Sequence, residues 1–173
     1  MGNRAHVVFK DRYGISPIVY LHWNGGPESI YAFMAEFKRR GYGHDTDYDA
    51  ARFTQIVGEF MDQDHFTGTS LGIMSPPKDF TSESLQKYDM YDNGFYVFSS
   101  ASESELKTKD DDAGEPILLN MWKVERYTYN GKLGPKAVKT EIKQAFKHVY
   151  NSGDGTIAET FKKMTGNKRT SAL

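Results

Sequence analysis

Histidines 6 and 22 are the side chains of this sequence best suited to acid–base or ligand chemistry near neutral pH. They lie on two alternating apolar stretches, residues 5–10 and 18–23, separated by Asp11-Arg12-Tyr13-Gly14. A hairpin centred near Gly14 sets Val7 against Leu21, Phe9 against Val19 and Ala5 against Trp23 on a wholly apolar face. The other face then pairs His6 with His22 and Val8 with Tyr20. That face is either an acid–base or ligating pair, or two rings stacked beside Tyr20. No third ligand stands at a compelling spacing, so neither a metal nor another cofactor is expected.

The second stretch runs into Asn24-Gly25-Gly26-Pro27. Glycines let the chain turn, and Pro27 suits the first position of a helix, where its missing N–H needs no partner. The corner could hold an anion on helix amides, or be plain architecture. It lacks the dinucleotide fingerprint and the P-loop lysine, and Glu28 already offers a negative charge to the helix dipole. The candidate ligand- or partner-binding set is His6, Tyr20, His22, Trp23, Asn24, Gly25 and Gly26.

Asp45-x-Asp47-x-Asp49 resembles the start of a calcium loop, but Ala50 and Ile56 stand where glycine and glutamate are needed. Capping of a helix by Asp47 explains these acids more simply, and Asp62 to His65 read as a solvated helix end. Lys136, Lys139, Lys143 and Lys147 share one strip of a helix whose opposite strip is Val138, Ile142, Phe146 and Val149. The lysines are the nucleic-acid candidates, and a merely solvated face is the other reading. No GxSxG, HExxH, paired CxxC or P-loop occurs, and no residue announces itself as nucleophile or base. The chain reads more readily as a binding protein than as an enzyme.

Helical spacing of Ile30, Phe33, Met34 and Phe37 predicts a helix over 28–40, ended by Gly41 and Gly43. Ala50, Phe53, Ile56, Val57, Phe60 and Met61 predict a second. Strands are expected at 70–74, at 95–98 after Asn93-Gly94, and at 117–129, with one helical turn within 81–86 and a mobile loop over 100–116. Gly134-Pro135 opens a third long helix to Tyr150, and a short one follows at 156–164. The expected fold is α+β: an antiparallel sheet of about five strands, two helices after the amino-terminal hairpin and a carboxy-terminal helical segment. Residues 1–165 form one domain and 166–173 a flexible tail.

The 173 residues contain no cysteine, which excludes disulfides, thiolate nucleophiles and Cys-ligated zinc. Net charge is −1, yet the eight Lys and one Arg from Gly131 onward outweigh three acids, so that end carries +6 and the rest −7. A uniformly acidic nucleic-acid mimic is excluded. With no apolar run of ~20 residues and no signal-like start, a cytoplasmic protein without a membrane partner is expected.

The opening MGNRAHVVF, the segment SPIVYLHWNGGPESIYAF and the later DYDAARFTQIVGEFMDQD resemble a set of small uncharacterised bacterial, phage and plasmid proteins. A GNRAHV start, a YLHWNGGPES corner and an AARF-QIVG helix occur there in the same order, covering roughly the first hundred residues. The resemblance implies a mobile-element protein made inside a bacterial cell; binding and blocking of a host macromolecule is the leading expectation, with a host defence system as one candidate target. A small enzyme or ligand-binding protein with its site at residues 22–26 is the first alternative. A nucleic-acid binder using the lysine strip is the second.

Overall fold

The structure, a computed structural model, describes residues 3–43, 45–63, 71–100 and 122–151, without the side chains of 61–63 and 146–151. The strands are β1 (Ala5–Lys10), β2 (Ile18–Leu21), β3 (Leu71–Met74), β4 (Phe95–Ser100), β5 (Trp122–Thr128) and β6 (Gly131–Lys132). The helices are α1 (Pro27–Arg39), α2 (Thr46–Gln63), α3 (Ser82–Leu85) and α4 (Pro135–Asn151). The strands form one sheet in the order β3-β2-β1-β4-β5-β6. The α+β class is as expected, but the sheet has six strands and is mixed. Its central pair, β1 and β4, is parallel, with His6 beside Phe95 and Phe9 beside Phe98.

Chain direction explains the departure. β3 runs antiparallel to β2, and β2 to β1, so β3 and β4 point the same way. Parallel strands cannot be joined by a tight turn. Residues 75–94 therefore cross over one face of β2 and β1 to reach the far side of β1. Asn93-Gly94 closes no hairpin; it delivers the crossover into β4.

The two faces of the sheet bury separate cores. On the first, Val7, Phe9, Val19, Leu21, Tyr96, Phe98 and Trp122 meet α1, α2 and α4 through Phe33, Phe37, Phe53, Phe60 and Ile142. On the second, Val8, Ile18, Phe95, Val97 and Tyr127 lie under the crossover's Leu85, Tyr88 and Met90, with Phe80 packed against them. Burying an aromatic or branched side chain contributes about 1.5–3 kcal/mol, so both faces add substantially to stability.

Local chemistry fixes the ends of the helices. Beyond α1, Gly41 takes a left-handed φ of 73°, its amide bonds the Lys38 carbonyl, and the Tyr42 amide reaches back to Phe37. The Tyr42 ring then packs on Phe37, 5.5 Å between centroids, completing a Schellman closure. At the start of α2 the cap is Asp45, where Asp47 was expected. The Asp45 carboxylate accepts the Asp47 amide (3.1 Å) and the Asp49 carboxylate accepts the Asp45 amide (3.3 Å).

The β1–β2 register also departs from expectation, by two residues. Ala5 faces Leu21, His6 faces Tyr20 and Val7 faces Val19. The Asp11 carboxylate closes the turn ahead of Gly14 by accepting the Tyr13 and Gly14 amides at 2.6 and 2.9 Å. A slip of two preserves which face each residue occupies. Val7, Phe9, Val19 and Leu21 are accordingly buried as expected, whereas His6 does not oppose His22 and Trp23 lies past the strand, half-buried. The loop at 100–116 (apart from Ser100), the start of the 117–129 strand, Ser70, Asp64 and His65, the short helix at 156–164 and the 166–173 tail lie outside the described residues, as do the side chains of Met61, Phe146, Lys147 and Val149.

Candidate functional site

Extending the strand registers by two residues past His6, Tyr20, Phe95 and Tyr127 gives a row across one end of the sheet: His22, Arg4, Asn93 and Tyr129. Backbone bonds continue the pairing there, from the Asn3 amide to the His22 carbonyl and from the Asn93 amide to the Arg4 carbonyl, both 3.1 Å. Arg4 ties the row to the crossover. Its Nε donates to Asp92 at 2.8 Å and its guanidinium also pairs with Asp89. The hydrogen bond from Arg4 holds the Asp92 carboxyl below the usual carboxylate range.

Of the expected site residues, Tyr20 and His22 do come together. The Tyr20 hydroxyl lies 3.2 Å from Nδ1 of His22, and the His22 ring meets Trp23 edge-on at 5.1 Å. Burial pushes the Tyr20 hydroxyl pKa up. His6 meets the Tyr20 ring at 5.4 Å but does not join His22 at the surface: it is 1% exposed, stacked on Phe95 at 4.6 Å beneath the crossover. At the end of that row Tyr129, 65% exposed, stacks at 4.9 Å on Tyr91, 73% exposed. Arg4, Asp89, Asp92, Tyr91 and Tyr129 were not singled out from sequence. They come from three separated segments, which the parallel β1–β4 and antiparallel β4–β5 pairings bring together.

At the glycine corner, Asn24 carries the left-handed backbone, with φ 56°. Gly25 serves close approach instead: a Cβ there would sit 2.6 Å from both the Asn3 carbonyl oxygen and the Ala5 Cβ. Its amide donates to Asn3 (2.7 Å) and its carbonyl accepts the Tyr96 hydroxyl (3.0 Å). Gly26 precedes α1 without a side-chain cap, and the Glu28 carboxylate crowds the position a Gly26 Cβ would take. The chain's own groups thus occupy much of the space around this helix end.

A second polar cluster, unforeseen, lies inside the first-face core. Arg126, 2% exposed, donates to Glu141 (2.9 Å) and to the carbonyls of Asn93 and Phe95 (2.7 Å each), and its guanidinium lies 3.5 Å from the Tyr96 ring centre. The Tyr31 hydroxyl donates to Glu141 at 2.7 Å. Burial drives the Tyr31 and Tyr96 hydroxyl pKa values far up, so both remain protonated donors. The cluster joins α1, α4, β4, β5 and, through Tyr96, the corner. Its polar groups satisfy one another, which makes it a brace.

Lys136 and Lys143 are exposed on α4 and Lys139 is half-exposed, on the side opposite Val138 and Ile142, as expected. A cleft of about 370 Å³ lies between the β1–β2 turn and the start of α2, lined by Asp11, Asp45 and Asp47. Asp11 and Asp45 there already accept bonds from their own turn and helix. Among the described residues no group of three or more His, Asp or Glu is placed to hold a metal ion, and no helix is long and apolar enough to cross a membrane. Comparison with protein-family models, curated protein sequences and solved structures finds no match to this chain.

Proposed function

We propose that this chain works by binding a partner protein through the end of the sheet that carries Tyr20, His22, Trp23, Tyr91 and Tyr129. The observation behind the reading is the exposed Tyr91–Tyr129 stack beside a row fixed by the Arg4–Asp92 ion pair. Tyrosine, tryptophan and arginine dominate binding hot spots, because large rings contribute contact area at little entropic cost. Rigid presentation matters as much, since binding energy is lost when interface groups must first be ordered. The surface belongs to the part of the sequence that carries −7, which favours a protein over a polyanion. The amino-terminal resemblance to phage and plasmid proteins supplies the setting: a host component of a bacterial cell, bound and blocked.

Pull-down from bacterial lysate with wild type, with Tyr91→Ala combined with Tyr129→Ala, and with His22→Ala tests this. Both variants should keep the far-ultraviolet circular dichroism of the wild type. The tyrosine variant should lose capture at least tenfold. Full capture by both folded variants would sink the proposal. Capture abolished instead by Lys136→Glu with Lys143→Glu would move the interface to α4.

A further inference from the structure

We propose that the crossover at residues 75–93 is an acid-releasable cover, latched to the second face of the sheet by the neutral imidazole of His6. The latch is defined by position. His6 lies on the central strand β1, in the middle of the interface that the crossover closes. Its ring stacks on Phe95 of β4 at 4.6 Å, tilts against Tyr20 of β2 at 5.4 Å and meets the edge of Tyr88 from the crossover at 5.7 Å. Three of its neighbours are therefore aromatic, and water is excluded.

A proton on that ring has little to stabilise it. Nδ1 lies 3.4 Å from the Gly94 carbonyl oxygen. The charged groups that act on it are Asp89 of the crossover, which favours the cation, and Arg4, just ahead of its own strand, which opposes it. Lys87 lies over the Tyr88 ring, 5.3 Å from its centre, and adds positive charge on the crossover. From β2, Tyr20 is neutral below its raised pKa and touches His22, and β4 contributes only Phe95. Burial outweighs the Gly94 carbonyl and Asp89 and lowers the His6 pKa.

The sign follows. Closed, the ring resists the proton; open, it has its ordinary affinity. The closed state is fully favoured above the open-state pKa near 6.5 and loses stability as pH falls below it. For a ring that stays neutral while covered, one proton raises the opening constant up to about 30-fold between pH 7.5 and 5. The second fastening of the cover, Arg4 to Asp92, persists across that range because Asp92 ionises below the usual range. Because the crossover carries Asp89, Tyr91 and Asp92, its release also dismantles the aromatic end. That last consequence rests on the interaction reading above; the release itself does not.

Hydrogen–deuterium exchange on the full chain, corrected for intrinsic rates, reads the opening directly. Protection of 85–93 should fall by up to about 30-fold from pH 7.5 to 5, while α1 and β2 hold theirs. His6→Phe, which keeps the stacking and removes the proton, should give a flat profile. A flat wild-type profile overturns the proposal, as does an equal fall in His6→Phe or a fall shared by α1. If His6→Phe does not fold, nuclear magnetic resonance of the wild type decides. His6 should titrate together with the 85–93 amides, and titration without their movement overturns the latch.

Discussion

Arg126→Met removes the centre of the brace inside the first-face core. The substitution deletes the ion pair to Glu141, both bonds to the Asn93 and Phe95 carbonyls, and the stacking on Tyr96. Removing one partner of a buried pair costs about 3–5 kcal/mol, and each orphaned buried carbonyl about 1–3. The buried methionine side chain returns about 1.5–3 kcal/mol. Glu141 retains 19% side-chain exposure, so water tempers its share of the loss. The net expectation is a destabilisation of roughly 3–6 kcal/mol, a large part of the ~5–15 kcal/mol typical of a domain. Urea denaturation followed by circular dichroism measures it, on wild type, Arg126→Met, Glu141→Leu and the double variant. The two single losses should sum to at least ~1 kcal/mol more than the double shows, because each strands the other's polar group. An Arg126→Met cost below ~1 kcal/mol with an unchanged denaturant slope would refute the brace.

Leu21→Ala truncates a fully buried side chain on the first face and should cost roughly 2–5 kcal/mol in the same urea assay. Gly25→Ala forces a methyl group onto backbone and should lower stability by about 1–3 kcal/mol. An unchanged urea midpoint would show that the corner can relax, and this substitution is for the same reason a poor probe of binding. For the lysine strip, we expect no electrophoretic shift of DNA or RNA at low salt. A shift that weakens steeply with salt and disappears in Lys139→Glu with Lys143→Glu would reassign α4 to nucleic acid.

Periodicity made the helices legible: Ile30, Phe33 and Phe37 mark α1 and Val138 and Ile142 mark α4, because a one-sided apolar stripe has few alternatives. The faces of β1 and β2 were legible for the same reason, from alternation alone. Register was not, since Asp11 rather than Gly14 closes the turn, and alternation is blind to a slip of two. The parallel placement of β4 left no local mark either. Phe95 to Phe98 read as a strand without any sign of which neighbour it joins. What sequence offered of the candidate site was thus its contiguous part, Tyr20 to Gly26. Arg4, Tyr91, Asp92 and Tyr129 are ordinary surface residues until strand pairing assembles them. Arg126 was invisible for a related reason: a lone arginine in a strand carries no signal that Glu141 awaits it.

The parallel pair at the centre of the sheet also sets a timetable for synthesis. Within this chain β1 is made before every other strand, and β2 follows at once to cover one of its edges. Its other edge waits for β4, and Gly94, the residue whose carbonyl meets the His6 ring, is 88 positions further on. At roughly 5–20 residues per second, that edge stays unpaired on the ribosome for roughly 4–18 s. Throughout that interval Val8 also lacks its crossover lid, leaving an apolar strand edge open to other chains. Chaperone demand for this protein should therefore peak before β4 emerges and fall once the centre of the sheet can zip shut.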